Sequence, residues 1–307
     1  MNPDNPLNRQ PQLILISGLQ KSGTSLLLRL LVEHTAVAEN PFDGVEGHAY
    51  WGNVPSHSPR EFPAGTIYTS QDGNAGHEIS GIAADHRVRR VLEERLAALT
   101  VCKPAIVNKN PYHTVRLPWL KAIFPQSFIV ATVRHAVPNI YSLLKKYVRQ
   151  DECDRPWRED RWYGVKPRYW RHMLSADLQT QCARQWCGVM SKLWDDRAHI
   201  DLFVSYRQLC LNPARVVQRI LAEACGIEPD CAVHIPRLQC FDDEYRRGAP
   251  LRSKNELDRL DAIAPEPIEL PPFSAGEIAR IEAQCAEIQN NFEVLSHSAG
   301  DGPSEGT

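Results

Sequence analysis

The 307-residue chain lacks several features that would assign it to a large class of proteins. It has no apolar run near the roughly 20 residues that a membrane-spanning helix needs. Its first residues, MNPDNPLNRQPQ, lack the basic and then apolar pattern of a secretion signal. Its net charge is only −2, whereas a general nucleic-acid binder normally carries a basic excess. These absences predict a soluble cytoplasmic protein with no transmembrane segment and no nucleic-acid partner.

The nine cysteines also lack the spacing of a zinc site or of a disulfide framework. None of them forms a C-x-x-C pair, and an odd count without framework spacing is typical of reduced thiols in the cytosol. The cysteine pattern therefore predicts no metal centre and agrees with a cytoplasmic location.

Short apolar runs alternate with amphipathic helical patterns along most of the chain. Strands are predicted at LILIS (13–17), AIVNK (105–109), SFIVATV (127–133) and HIDLFVSY (199–206). Helices are predicted at 25–34, 87–99, 114–124, 138–150, 177–196, 213–226 and 278–292. This alternation predicts an α/β fold with a doubly wound, mainly parallel sheet flanked by helices. We expect one domain at residues 12–295, with a flexible N-terminus (1–11) and a disordered tail (296–307).

A glycine-rich turn, QKSGTS, joins the first predicted strand to the first helix. Such a turn points backbone N–H groups and the positive end of the helix dipole at one spot, which favours an anion there. Side-chain donors are added by Lys21, Ser22, Thr24 and Ser25. The alternative is that Gly18 and Gly23 only make a tight turn.

The lysine of an ATP-binding loop is absent from its usual place. In G-x-x-x-x-G-K-[ST], the lysine follows the second glycine and reaches the β- and γ-phosphates, while the next hydroxyl holds Mg²⁺. Here Thr24 occupies the lysine position, and Lys21 stands two residues before Gly23. This placement argues against a small-molecule kinase and puts Lys21 where it would neutralise charge on a leaving oxygen.

A second motif, IVATVRHAVPNIYSLL, ends a predicted strand at Arg134 and places Ser142 eight positions later in a helix. An arginine at the carboxyl end of a sheet strand is well placed to bind a phosphate. The alternative is an arginine that simply lies on the surface.

Together, the two motifs resemble those of the sulfotransferases that use 3′-phosphoadenosine 5′-phosphosulfate (PAPS). In that family the first loop reads roughly [RK]-S-G-T-[ST] and binds the 5′-phosphosulfate. A strand-ending arginine, with a serine eight residues later, binds the 3′-phosphate. QKSGTS and RHAVPNIYS match this pattern in residue type, order and spacing, and FPQSFIVATVR resembles the family's strand before that arginine. The similarity runs from residue 13 to about 226.

The resemblance implies a P-loop-like fold of the bacterial sulfotransferase type and a set of donor-binding residues. Tyr206 is carried over from VSYRQL, and RRGAPLRSK loosely resembles the basic 3′-phosphate element of the family. The implied donor site comprises Lys21, Ser22, Gly23, Thr24, Ser25, Arg134, Ser142, Tyr206, Arg246, Arg247 and Gly248.

The resemblance also implies catalytic residues. Relatives that use a carboxylate base have it about one helix beyond the loop, in the segment that reads NPFDGVEGHAYW here. In that segment Glu46 fits best, His48 comes second and Asp43 third, and the alternative is that all three lie on a loop surface. VNKNPYHTV resembles another sulfotransferase element, which implies that Lys109 points at the sulfonate and that His113 lines the acceptor pocket.

The implied activity is that of a PAPS-dependent sulfotransferase, an enzyme of the EC 2.8.2 type. It would move a sulfonate from PAPS to a hydroxyl, or second to an amine, of a small molecule, glycan or lipid, by in-line displacement without a metal. The alternatives are a P-loop kinase that uses ATP and a non-catalytic protein that binds the product nucleotide, 3′-phosphoadenosine 5′-phosphate (PAP). Residues 151–172 are interpreted as a surface excursion, and three roles stay open for the aromatic and basic segment 157–170 within them. It caps the acceptor, forms a homodimer surface or packs as a loop.

Overall fold

The computed structural model of the protein describes residues 11–51, 74–81, 84, 86–152, 161–227, 238, 240, 242 and 270–298. In this part of the chain, one sheet of five parallel strands has the order β2-β3-β1-β4-β5. The strands are β1 (Gln12–Ser17), β2 (Ala38–Glu39), β3 (Ala105–Lys109), β4 (Phe128–Val133) and β5 (Leu202–Ser205). After β1 the chain forms β2 and β3 on one side of β1, and it then crosses over to form β4 and β5 on the other side. The carboxyl ends of β1 and β4 therefore flank a topological switch point, which is where open parallel sheets bind ligands.

Helices cover both faces of this sheet. They are α1 (Thr24–Glu33), α2 (His48–Trp51), α3 (His86–Ala97), α4 (Leu117–Ile123), α5 (Ala136–Glu152), α6 (Leu178–Asp195), α7 (Tyr206–Leu211), α8 (Pro213–Cys225) and α9 (Ala275–Ser298). Among the described residues, every helix is too short or too polar to cross a bilayer.

The strands are apolar on both faces because the sheet separates two cores. Along β1, Leu13 and Leu15 point into the core formed with α5, α6 and α9, whereas Ile14 and Ile16 point into the core formed with α1, α7 and α8. Successive side chains of a strand point to opposite faces, so a continuous apolar run is what a strand covered on both sides requires. The predicted doubly wound α/β fold is confirmed.

Two predicted boundaries were wrong. The helix predicted at 114–124 is split into a 3₁₀ turn at Pro111–Val115 and α4, which has Pro118 in its first turn. Proline lacks an N–H and clashes with a preceding helical turn, so it is accommodated only at a helix start. The strand predicted at 199–206 is shorter, because Ser205 already caps α7 through hydrogen bonds with Gln208.

The aromatic segment is described from residue 161 onward, and that part is not a surface excursion. Trp162 and Trp170 are buried, with their rings edge to face at 5.5 Å. Tyr169 is half exposed. The segment thus matches the packed-loop alternative, since large apolar rings gain most from burial in an interior. The proposed division into one domain with two loose ends stays a prediction, although α9 continues to Ser298, past the predicted start of the tail at 296.

Candidate active site

A cleft of about 230 Å³ lies where the chain leaves β1, β3 and β4. Five of its lining residues are cationic and one is a carboxylate, so the cleft suits an anionic ligand. The charged residues are Lys21, Arg29, Lys109, Arg134, Lys146 and Glu46. The other lining residues are Gln20, Gly23, Thr24, Ser25, Leu26, Pro111, Tyr163 and Tyr206.

The loop after β1 is held rigidly from two sides. The N–H of Gly18 donates a hydrogen bond to Oγ1 of Thr114 at 2.8 Å, which joins the start of the loop to the turn after β3. Nδ2 of Asn139 donates to the carbonyl of Gln20 at 2.9 Å, which joins its middle to α5. The donors of α1 are therefore presented in a fixed direction before any ligand arrives.

Ser22 contributes to this support. Its hydroxyl is buried and lies 2.7 Å from Oγ1 of Thr132, and its N–H donates to the carbonyl of Leu19 at 3.1 Å. Ser22 does not line the cleft, unlike its neighbours Thr24 and Ser25. Its predicted contact with the sulfonate donor stays a prediction. In the structure, Ser22 attaches the loop to β4.

The backbone of Lys21 is strained. Its φ angle is 72°, in the left-handed region. For a residue with a side chain this conformation costs about 1–2 kcal/mol. Strain of this kind is retained at sites where the surrounding structure over-determines it, and it is frequent where ligands bind. Here the conformation is held in part by Nη1 of Arg134, which donates to the carbonyl of Lys21 at 3.1 Å.

Gly23 begins α1 with φ at 102°, and a Cβ atom added there would lie 2.8 Å from Cδ2 of Tyr206. We expect Gly23→Ala to lower the free energy of unfolding by about 1–3 kcal/mol, because both the backbone and the contact are strained. Nucleotide affinity should fall with it. Gly276→Ala is the matched control, since a Cβ in that first turn of α9 meets nothing within 4 Å. Chemical denaturation of both variants checks this, and equal stabilities would contradict it.

Arg134 follows β4 and is almost fully buried at the back of the cleft. It donates to Oγ of Ser142 at 3.3 Å, so the two residues expected to bind the 3′-phosphate lie together, and its guanidinium lies 4.2 Å from the ring centre of Tyr206. It also forms an ion pair with Asp242, in which Nη2 and Oδ1 are 2.5 Å apart. Burial alone would lower the pKa of Arg134, but the Asp242 carboxylate outweighs it and raises that pKa.

Glu46 lines the same cleft, and its carboxylate bridges two basic side chains. Nζ of Lys109 donates to its Oε1 at 2.6 Å, and Nε2 of His48 is 2.7 Å from its Oε2. Nδ2 of Asn110 also donates to the Glu46 carbonyl at 3.0 Å, which fixes the turn before α2. Glu46 and Lys109 line the cleft, whereas His48 contacts it only through Glu46.

The surroundings of Glu46 determine its charge. Burial raises the pKa of this carboxyl, but the hydrogen bond from His48 and the adjacent Lys109 ammonium more than offset it. The result is a pKa of about 2. Glu46 is therefore ionised at any physiological pH.

Asp43, the third candidate for the base, and His113, the expected acceptor-pocket residue, both lie outside the cleft. Asp43 is exposed and does not line the cleft. His113 is buried, and its Nε2 is 3.0 Å from Oδ1 of Asn108, an atom that also accepts from Nε1 of Trp51 at 2.8 Å. Burial holds the pKa of His113 well below its usual range. The structure thus places His113 beneath the site rather than in the cleft.

Sequence reasoning missed three charged residues of this region. Arg29 and Lys146 face the cleft from α1 and α5, and helical periodicity from Ser25 and Ser142 would have placed both near the ligand. Asp242 had no sequence signal, because it meets Arg134 from 108 positions away. The predicted residues Arg246, Arg247 and Gly248 lie outside the described residues.

Comparison with known proteins now adds to this geometry. The family model described as "Sulfotransferase family" matches residues 11–230, which is most of the chain. The chain belongs to the sulfotransferase family. The matched part contains the loop, Glu46, Lys109 and Arg134. No curated protein matches the chain.

Solved sulfotransferases are distant in sequence. Sulfotransferase STF9 from Mycobacterium avium is 13% identical with a TM-score of 0.46, and the match covers 94% of this chain and 79% of that one. A sulfotransferase from Alicyclobacillus acidocaldarius is 16% identical with a TM-score of 0.42, at 90% and 95% coverage. The sulfotransferase domain of the Synechococcus PCC 7002 olefin synthase is 15% identical with a TM-score of 0.40, at 99% of each chain.

Proposed function

We propose that this member of the family transfers a sulfonate group from PAPS to a hydroxyl group of a small molecule, glycan or lipid, with an amine as the second choice of acceptor. The observation that carries the proposal is the convergence of Lys21, Arg134 and Glu46 on one cleft. The first two are donors for two separate anionic groups, and the third is an ionised carboxylate. A cytoplasmic location is proposed from the cysteine pattern, which is typical of reduced thiols.

Two groups of side chains at the cleft would bind the two ends of PAPS. Lys21, Thr24 and Ser25 would hold the 5′-phosphosulfate at the start of α1, where the helix dipole favours an anion. Arg134 and Ser142 would hold the 3′-phosphate, since a guanidinium matches phosphate oxygens with two parallel hydrogen bonds. A loop that binds this donor has no need of the lysine after Gly23, because PAPS has no γ-phosphate.

Lys21 would act on the leaving group. In the transfer, the bond between sulfur and the bridging oxygen of PAPS breaks as a new bond forms between sulfur and the acceptor oxygen, and PAP leaves with the additional negative charge. An ammonium held at the loop apex stabilises that charge where it develops. The strained backbone of Lys21 supports this role, because strain of that kind is maintained where orientation matters.

Glu46 would take the proton from the acceptor hydroxyl. With a pKa of about 2 it is a weak base while Lys109 and His48 both neutralise it. An arriving sulfonate would give Lys109 a second anionic partner, and Glu46 would then lose part of its compensating charge. Its pKa would rise toward the range in which a carboxylate is an effective base. His48 would position Glu46 through the hydrogen bond to Oε2.

Isothermal calorimetry tests the donor assignment, with EDTA present for PAP and without EDTA for ATP with Mg²⁺. We expect PAP to bind with micromolar or tighter affinity, about −8 kcal/mol or better, and ATP with Mg²⁺ to bind far more weakly. Tight binding of ATP that depends on Mg²⁺ would support the kinase alternative instead. Sulfonate transfer from PAPS to a panel of phenols, sugars, glycolipids and peptides separates an enzyme from a protein that only binds PAP.

A further inference from the structure

Asp242 occupies the side of Arg134 that a phosphate would use. Nε of Arg134 is 3.0 Å from both carboxylate oxygens, and Nη2 is 2.5 Å from Oδ1. This is the two-point geometry in which a guanidinium binds either a carboxylate or a phosphate. The remaining nitrogen, Nη1, donates to Lys21 and Ser142. All three nitrogens of the guanidinium are therefore engaged within the protein.

The pair is enclosed and anchored. The side chains of Arg134 and Asp242 are 2% and 7% exposed. Two positions before Asp242, Cys240 is buried in the core that contains α7, and the N–H of Leu238 donates to the carbonyl of Cys210 on α7 at 2.8 Å. These contacts attach the chain to the rest of the fold two to four positions before Asp242.

We infer that Asp242 is a specificity-determining residue that competes with the 3′-phosphate of the nucleotide for Arg134. This inference rests on the proposed function. A carboxylate and a phosphate cannot both bind the same N–H edge of a guanidinium, because two negative charges that close together repel each other strongly. A ligand with a 3′-phosphate must displace Asp242, whereas a ligand with a free 3′-hydroxyl leaves the pair intact. Asp242 therefore lowers affinity selectively for 3′-phosphorylated nucleotides.

Calorimetry with PAP and AMP tests this, since the two differ only in the 3′-phosphate. In Asp242→Asn, which keeps the shape and removes the charge, PAP affinity should rise about 10- to 100-fold, the usual worth of a charged contact. AMP affinity should stay within about threefold. Asp201→Asn is the matched control: Asp201 pairs with Lys121 at 2.7 Å, and neither residue lines the cleft. That variant should leave the ratio of PAP to AMP affinity unchanged.

A measurement on the wild-type protein tests the inference even if Asp242→Asn fails to fold. Hydrogen exchange of the peptide that contains Cys240 and Asp242 should change on addition of PAP and not on addition of AMP. An unchanged affinity ratio in Asp242→Asn, or an identical exchange response to both nucleotides, overturns the inference while PAP binding still stands. If neither wild type nor variant binds PAP, the proposed donor and the inference about Asp242 are both wrong.

Discussion

Turnover should fall by about 10²- to 10⁴-fold when Glu46 is replaced by Gln, which is the usual contribution of a positioned general base. The amide keeps the shape of the side chain, but it has one acceptor oxygen instead of two, so it keeps only one of the contacts that Lys109 and His48 make with the carboxylate, and it cannot take a proton. PAP affinity should hold, because the donor contacts assigned to the loop and to Arg134 are untouched. Initial rates at saturating PAPS, with calorimetry of PAP, measure the two effects separately.

Asp43→Asn is the matched control for Glu46→Gln. Asp43 lies three residues upstream in the same turn, is exposed and does not line the cleft, so its variant should remain fully active. His48→Ala should reduce turnover less than Glu46→Gln if His48 only positions the carboxylate. If Glu46→Gln stays active while His48→Ala is inactive, the two roles are reversed. If both stay active, the base is another residue and the assignment to this ion cluster is wrong.

The pH dependence of the wild type follows from the same ion cluster. Glu46 has a folded pKa of about 2, below the ordinary value of 4.5. Its contribution to stability is therefore fully present above about pH 4.5 and is lost as the pH falls toward 2. Protonation of free-enzyme Glu46 should thus cause no loss of kcat/KM from about pH 5 to 8. Glu46→Gln should be less sensitive to acid unfolding than the wild type.

Loss of the Lys21 ammonium should lower kcat by about 10²- to 10³-fold, the range seen when one preorganised donor to developing charge is removed. In Lys21→Met, PAP affinity should fall much less, since Thr24, Ser25 and the helix N-terminus still bind the 5′ end. A loss in kcat that is much larger than the loss in PAP affinity indicates an interaction that strengthens in the transition state. Lys145→Met is the matched control, because Lys145 lies near the ring of Tyr141 and does not line the cleft.

Two further variants at position 21 separate charge from backbone strain. Lys21→Ala and Lys21→Gly both lack the ammonium, but only glycine adopts a φ of 72° without steric cost. Lys21→Gly should therefore be about 1 kcal/mol more stable than Lys21→Ala, and both should be as slow as Lys21→Met. If Lys21→Met keeps wild-type turnover, the leaving-group role is wrong, whatever the order of stabilities.

Much of this protein was determined by local sequence. The continuous apolar run of β1 required burial on both faces, and the two cores on either side of Leu15 and Ile16 confirm it. Arg134 and Ser142 lie together because both belong to one strand–helix unit, so their sequence spacing was enough to group them at one site. Gly23 and Lys21, which stands before its usual place, likewise identified the loop, because a turn is favoured by a few residues that are adjacent in sequence.

Only the tertiary structure decided which distant residues meet. Glu46 and Lys109 are 63 positions apart, and Arg134 and Asp242 are 108 apart. A sequence pattern reports the period of a helix or strand and the conformation of a turn, but not which chain segments converge at a sheet edge. Pairs of opposite charge are also common on surfaces, so composition does not distinguish them from buried pairs. Sequence therefore determined four of the five strands that the structure describes and the glycine-rich loop, whereas the packing of separate segments set the charge of Glu46 and brought Asp242 to Arg134.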